Sequence, residues 1–402
     1  MAKLWLAVTF VVIVSFFALH ILQAFDLFKD VPPYNDTNCE FIDGIVGAED
    51  ATLITENIMI LSSDDRFTLW EKNFGPTNTP NGGLYALYKE NGENRLISLE
   101  LTNFPSVDAF HPHGIYYFED KSLLFVVNHA YGKGGERIDV FSVNVGNSPQ
   151  SPVTVTFLYY IGKDFFSLNS MGSLNDLAVI SEGEFYVTQY RYFTDALDGR
   201  NNKSLKSLLK ELGNLVVALF NIPLSKVYFC KYSLPDSSMT SVSVECNAVA
   251  ASSMYNGISH RPADGKVLLA STINNQLHVF NRNLSSKTGE IVLQSKIPSI
   301  YSIDNIEYDA KHDEFILSSI GAFHYHVARV HSLHGGVERY SPGGGQAIQF
   351  SGSNSLGYTL RPLAITDGTV LSGVSVAARL QDSVVLGSWE DNGILVCQLA
   401  NK

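Results

Sequence analysis

The sequence predicts an all-β fold, a six-bladed β-propeller with one inserted amphipathic helix behind an N-terminal hydrophobic anchor. Three observations lead there. In 402 residues, 31 Gly, 24 Phe and 19 Tyr stand against 28 Lys and Arg, a turn-rich and aromatic-rich composition that suits sheets better than helical bundles. A short pattern of a small or acidic pair followed by an apolar run recurs six times, each time ahead of a second β-rich run. One segment alone, Ser204 to Phe220, switches to helical spacing.

The N-terminus comes first in chain order. Leu4 to Leu22 is nearly all apolar and follows Lys3; at roughly 1.5 Å per residue it matches the hydrocarbon thickness of a bilayer. The run is too long for a typical signal peptide and lacks a clean small-x-small site, so residues 1–28 are expected to be a retained anchor and 29–402 a lumenal or extracellular propeller, secreted if the segment is cleaved. Sequons at Asn35, Asn202 and Asn283 are compatible with that side. A formal charge of −12 excludes a nucleic-acid partner, because binding the phosphate backbone needs Lys and Arg to displace counterions.

The six copies are Glu49-Asp50-Ala51, His113-Gly114-Ile115-Tyr116, Asn175-Asp176-Leu177, Asn256-Gly257-Ile258, Asp304-Asn305-Ile306 and Ser372-Gly373-Val374. The β-rich runs after them are Asn57–Leu61, Leu123–Val127, Glu184–Thr188, Lys266–Ala270, Glu314–Leu317 and Ser383–Leu386. Strand pairs repeated in this way are the grammar of a propeller, whose innermost strands line a central channel. The polar residue of each copy stands at the start of the inner strand, so these residues are expected to converge from different blades. The helical segment, within an insertion of about 196–225, reads as a helix packed on the propeller or as a lid that also touches a membrane.

Convergent carboxylates, amides and backbone carbonyls are the ligands calcium takes. Glu49, Asn175, Asn256, Asp304 and Asn305 are expected to form one site, and Asp50, Asp176 and the Ile115 carbonyl a second, two Ca²⁺ ions in all. Neighbouring residues of an extended strand point opposite ways, which would let each dipeptide serve both sites. His113 and His129 fall on one hairpin beside these carboxylates, as a base and a partner that orients it. A later cluster, His324, His326, His331 and His334, matches no zinc spacing and reads as a surface loop. The four cysteines, Cys39, Cys230, Cys246 and Cys397, contain no CxxC pair, which rules out a zinc ribbon and leaves disulfides open.

These residues resemble the serum paraoxonase/arylesterase family of propeller lactonases. The resemblance is carried by Cys39 with Glu49-Asp50, Pro112-His113-Gly114-Ile115, Val126 to His129, Leu174 to Val179, Asn256 to Ser259, Ile303 to Asp309 and Leu395 to Leu399 around Cys397. It implies that the first calcium set is catalytic and the second structural, that His113 and His129 are the family's dyad, and that Cys39 bonds Cys397. Departures are Ser318 or Ser319 where the vertebrate family has a free cysteine, the extra Cys230 and Cys246, the insertion and the His-rich loop.

Two functions follow as expectations. One is a calcium-dependent hydrolase of lactones and aryl esters, with organophosphates as a side activity, in which a metal-polarised carbonyl meets hydroxide generated with the His dyad. No GxSxG elbow offers a serine nucleophile. The other is a catalytically silent, membrane-anchored relative that assists assembly of membrane proteins. Retention of the whole ligand set with both histidines favours the first.

Overall fold

The structure is a computed structural model that describes residues 29–66, 80–130, 133–146, 153–168, 173–194, 204–235, 240–299, 301–321, 340–352 and 357–399, with a few isolated positions besides. The expected anchor, the Asn202 sequon and the His324–His334 cluster lie outside the described residues. No described helix is long and apolar enough to cross a membrane.

Six antiparallel sheets form a six-bladed β-propeller. Each expected pattern copy opens or immediately precedes the innermost strand of a blade: Ala48–Thr55, Pro112–Phe118, Ser173–Ser181, Ile258–Arg261, Ile303–Asp309 and Val374–Leu380. The second strands are Ile58–Ser63, Leu123–His129, Glu184–Arg191, Lys266–Ser271, Glu314–Ser319 and Ser383–Ser388. Blade 2 is widened by two short strands, Leu101–Thr102 and Ser241–Val242, which pair in parallel with Thr154–Ile161.

The apolar core is divided. Six buried clusters each lie between two successive blades; Phe125, Val140, Leu177 and Val187 join blades 2 and 3, for example, and Leu268, Val279, Ile306 and Leu317 join blades 4 and 5. Each sheet is therefore apolar on both faces, so its strands read as near-continuous apolar runs without strict alternation. At the channel the packing tightens to backbone distance. A Cβ on Gly114 would come 2.5 Å from the Asp176 Cα, and one on Gly257 2.5 Å from the Asn305 Cα, so only glycine lets these inner strands approach.

The ring closes with both chain ends. Cys39–Val46 is the outer strand of blade 6, paired with Asn392–Gln398 in a register that sets Cys39 opposite Cys397, and the two are disulfide-bonded. Cys230 and Cys246 are also bonded, across neighbouring strands of blade 3.

Leu205–Leu219 is a helix, capped by Ser204, whose Oγ accepts from the Ser207 N–H at 3.2 Å. It is tied to blade 3 by polar groups: Arg191 pairs with Glu211 at 2.8 Å, and the Asn214 side chain exchanges two hydrogen bonds with the Phe193 backbone. Its apolar face is turned outward, with Leu205, Leu208, Leu209 and Leu212 all more than half exposed. The expected helix is thus held on the propeller by its polar groups, for periodicity locates an apolar face without saying which way it looks.

Two buried histidines set an acid limit on stability. Burial lowers the His278 and His260 imidazoles from 6.5 to about 4. Between those values the unfolded chain takes up protons that the fold refuses, so the contribution of these two histidines to stability is complete above pH about 6.5 and is lost as pH falls towards 4. His278→Gln, which can still meet the Tyr255 hydroxyl now 3.0 Å from Nδ1, should flatten the fall in melting temperature between pH 7 and 5. An unchanged slope would contradict this account.

Candidate metal centre and histidine pair

A local device aims the polar residues. The inner strands of blades 1, 2, 3, 5 and 6 each break register where the pattern lies, between Ala48/Ala51, Pro112/Ile115, Leu174/Leu177, Ile303/Ile306 and Val374/Val376. A bulge of this kind inserts a residue and re-aims side chains. At the kink of blade 1, Glu49 meets the Asn305 amide while Asp50 meets the Ile115 N–H, so the two members of the dipeptide turn to different sets.

Side-chain hydroxyls clasp several of the kinks. Ser62, Thr188 and Ser318 on the second strands accept from the backbone N–H of Asp50, Asp176 and Asn305 at 3.1, 3.1 and 2.7 Å. Thr188 and Ser318 then donate onward to the Asn256 and Ser375 carbonyls of the next blade at 2.7 and 2.5 Å. Ser318 thus links the kink of its own blade to blade 6.

The first expected ligand set is brought together. The Asn305 amide donates to the Glu49 carbonyl and to Glu49 Oε1 at 3.0 and 3.2 Å, and the Asn256 amide donates to the Asp304 carboxylate. With their nitrogens turned to acids, Asn256 and Asn305 leave Oδ1 buried without a hydrogen-bond partner, as does Asn175. A buried polar atom left unsatisfied costs about 1–3 kcal/mol. Three such amide oxygens from three blades, beside two carboxylates, are an oxygen-rich set whose chemistry fits calcium. Burial, with Glu49 nearby, pushes the Asp304 carboxyl well above the usual carboxylate range, and Arg66 offsets only part of this.

The second set is also assembled, with its acids already hydrogen-bonded. Asp50 Oδ2 accepts from the Ile115 N–H at 2.7 Å, and Asp176 Oδ2 from the Ile258 N–H at 2.8 Å. Each carboxylate therefore staples its blade to the next. Burial and then mutual repulsion hold the Asp50 carboxyl far above its ordinary value; burial does the same for Asp176. Among the described residues no group of three or more His, Cys, Asp or Glu is arranged to hold a metal; each expected set contains only two carboxylates, beside three amides in the first and one backbone carbonyl in the second.

The two histidines meet edge to face, with ring centroids 5.0 Å apart. His113 Nδ1 lies 3.0 Å from the Asn175 carbonyl oxygen, which can only accept, so Nδ1 carries the proton and Nε2 is the basic atom. That Nε2 is 3.6 Å from Glu49 Oε1. His129 Nδ1 donates to Glu136 Oε2 at 2.8 Å, and Glu136 Oε1 accepts the Leu174 N–H at 2.6 Å. Glu136 escaped the sequence reading; its signal was its place directly opposite His129 across the hairpin. Arg66 was missed too. It donates to the Pro112 carbonyl at 2.7 Å and so holds the residue before His113.

Of the described sequons, Asn283 is exposed, whereas the Asn35 side-chain nitrogen is engaged by the Gln398 and Leu363 carbonyls at 2.8 and 3.3 Å.

Against this geometry, the family model described as Arylesterase matches residues 30–399. The chain belongs to the arylesterase family. Human serum paraoxonase/lactonase 3 is 27% identical over 173 residues, which cover 42% of this chain and 45% of that protein. Mouse serum paraoxonase/arylesterase 1 is 28% identical over 173 residues, covering 42% and 44%. The matches to the curated relatives thus span under half their length. Among solved structures, a luciferin-regenerating enzyme is 9% identical with a TM-score of 0.45, covering 92% of this chain and 96% of that one. A Pseudomonas aeruginosa periplasmic gluconolactonase is 9% identical with a TM-score of 0.43, covering 84% and 77%.

Proposed function

We propose that the protein is a calcium-dependent hydrolase of lactones and aryl esters, with one catalytic and one structural ion. The observation that carries this reading is the convergence of three buried, unpartnered amide oxygens with Glu49 and Asp304 next to a histidine pair. Membership of the arylesterase family supports it.

Glu49, Asn175, Asn256, Asp304 and Asn305 would hold the catalytic ion, and Asp50, Asp176 and the Ile115 carbonyl the structural one. Bound calcium would supply Lewis acidity, polarising the ester or lactone carbonyl. The residues do the proton work. His113 Nε2, left unprotonated by the tautomer that the Asn175 carbonyl fixes, takes a proton from water as the oxygen attacks the acyl carbon. Glu49 at 3.6 Å stabilises the imidazolium that forms. The same nitrogen returns the proton to the departing alkoxide, so an ester yields acid and alcohol and a lactone opens to a hydroxy acid. His129, held by Glu136, orients the pair. Organophosphates fit as a side activity because a phosphoryl oxygen resembles the polarised carbonyl oxygen.

The outward leucines of the 205–219 helix support a membrane-facing role for the insert, beside the N-terminal segment, with the propeller lumenal or extracellular. The exposed Asn283 is the stronger glycosylation candidate in that setting.

His113→Gln should lower lactone turnover by on the order of 10² or more, because positioned proton transfer contributes about 10²–10⁴-fold. Calcium affinity, measured separately by titration, should hold. A folded, calcium-loaded variant with near-full lactonase activity would remove the base assignment. A wild-type protein inert on a lactone and aryl-ester panel, with calcium bound, would favour the silent, assembly-assisting alternative.

A further inference from the structure

The inner strands continue past both ligand sets. Gly257 donates its N–H to the Asp304 carbonyl at 3.0 Å, which fixes the register between blades 4 and 5. Three residues on, at about 3.3 Å per residue, His260 and Glu307 come level with each other roughly 10 Å along the channel. Both line a cavity of about 130 Å³ whose walls include Thr52, Tyr116, Tyr308 and Arg379. Thr52 stands two residues beyond Asp50 on its strand and Tyr116 one beyond Ile115 on its own, so the cavity begins within a residue or two, along these strands, of the second ligand set. Leu53, at its edge, is 42% exposed, and Glu307 and Tyr308 are half-buried, so it opens to solvent.

The walls carry one uncompensated acid and one orphaned nitrogen. Arg379 is committed to Asp309 at 2.6 Å and Glu314 at 2.9 Å. Among the described residues no hydrogen bond or ion pair holds Glu307. His260 is only 7% exposed, yet its Nδ1 has no hydrogen-bond partner. The volume admits roughly four waters at about 30 Å³ each, enough for an ion that still carries part of its hydration shell. From the opposite end, an ion would have to pass the Glu49–Asp304 set and any cation already there.

We propose that this cavity is the port through which a divalent cation reaches the Asp50–Asp176 pair, and that Glu307 captures the ion there as an additional carboxylate ligand. The proposal rests on the two-ion reading above. Glu307 replaces water on the incoming ion, while His260 Nδ1 is placed to hydrogen-bond a water that the ion keeps.

The test uses the whole protein and calcium alone. Titration of chelator-stripped protein gives the stoichiometry, and mixing the loaded protein with a fluorescent chelator gives release rates, with one phase expected for each ion. All four native cysteines are disulfide-bonded, so Leu53→Cys offers a single reactive thiol at the mouth of the cavity. Coupling it to a bulky maleimide should slow one release phase by about tenfold or more; the unlabelled variant should behave as wild type. Glu307→Gln should weaken one ion by about tenfold or more and leave the other unchanged. Release unaffected by the label, or two wild-type affinities in Glu307→Gln, would overturn the port. A wild-type stoichiometry of one would instead overturn the two-ion reading, and the port with it.

Discussion

Asp304→Ala should abolish lactone turnover, by about 10³-fold, because it removes a ligand of the ion that would stabilise the developing oxyanion, and losing one oxyanion stabiliser costs up to about that much. Asn256→Ala should come close behind. Asp304 accepts the Asn256 amide, so losing either member disturbs the orientation of the other and leaves the remaining oxygens badly placed. Asp176→Ala should behave differently. Its carboxylate receives the Ile258 N–H of the next blade at 2.8 Å and the Leu177 N–H of its own at 2.7 Å, so its removal strands buried backbone donors and chiefly lowers the melting temperature. Turnover per folded molecule should survive in Asp176→Ala when calcium is saturating. The two sets are wrongly divided if Asp304→Ala only destabilises while Asp176→Ala stays folded and inert. Melting curves taken beside the rates separate these outcomes, because an unfolded variant loses activity for no informative reason.

Cys39→Ser should cost roughly 6 kcal/mol of stability by the chain-entropy account, given the 358-residue separation of the bonded pair. The Cys230–Cys246 bond closes a 16-residue loop and on the same account is worth about 3 kcal/mol. Denaturant unfolding of the two serine variants checks the order. The 39–397 bond also clamps the seam of the ring, where the outer strand of blade 6 comes from the far end of the chain, so its loss should appear first as accelerated exchange of the Cys39–Val46 amides. A Cys39→Ser protein as stable as wild type, or a smaller loss there than in Cys230→Ser, would contradict this account.

Much of the fold was legible because the inner strands announce themselves. Glu49-Asp50, Asn175-Asp176 and Asp304-Asn305 are polar pairs set against apolar runs, buried where a core residue would otherwise stand. The kinks that aim them were not legible, since a bulge depends on how two strands pair and leaves no composition of its own. Glu136 was hidden for the same reason: its meaning appears only when the hairpin register sets it opposite His129. The clasping hydroxyls Ser62, Thr188 and Ser318 look like ordinary strand residues until the backbone N–H they accept from is known. The 205–219 helix was located by its periodicity, but its orientation was decided by Glu211 and Asn214, whose partners on blade 3 turn the leucines away.

The shared sixth blade sets a clock on biosynthesis. Cys39 leaves the ribosome early and must wait for Cys397, 358 residues later; at about 5–20 residues per second that delay is roughly 20–70 s. Throughout it the first strand has no partner, and blades 1 to 5 stand as an open arc with bare flanks. The seam of the ring is therefore the last part of the propeller that can form, because its strand Asn392–Gln398 is made after every other strand.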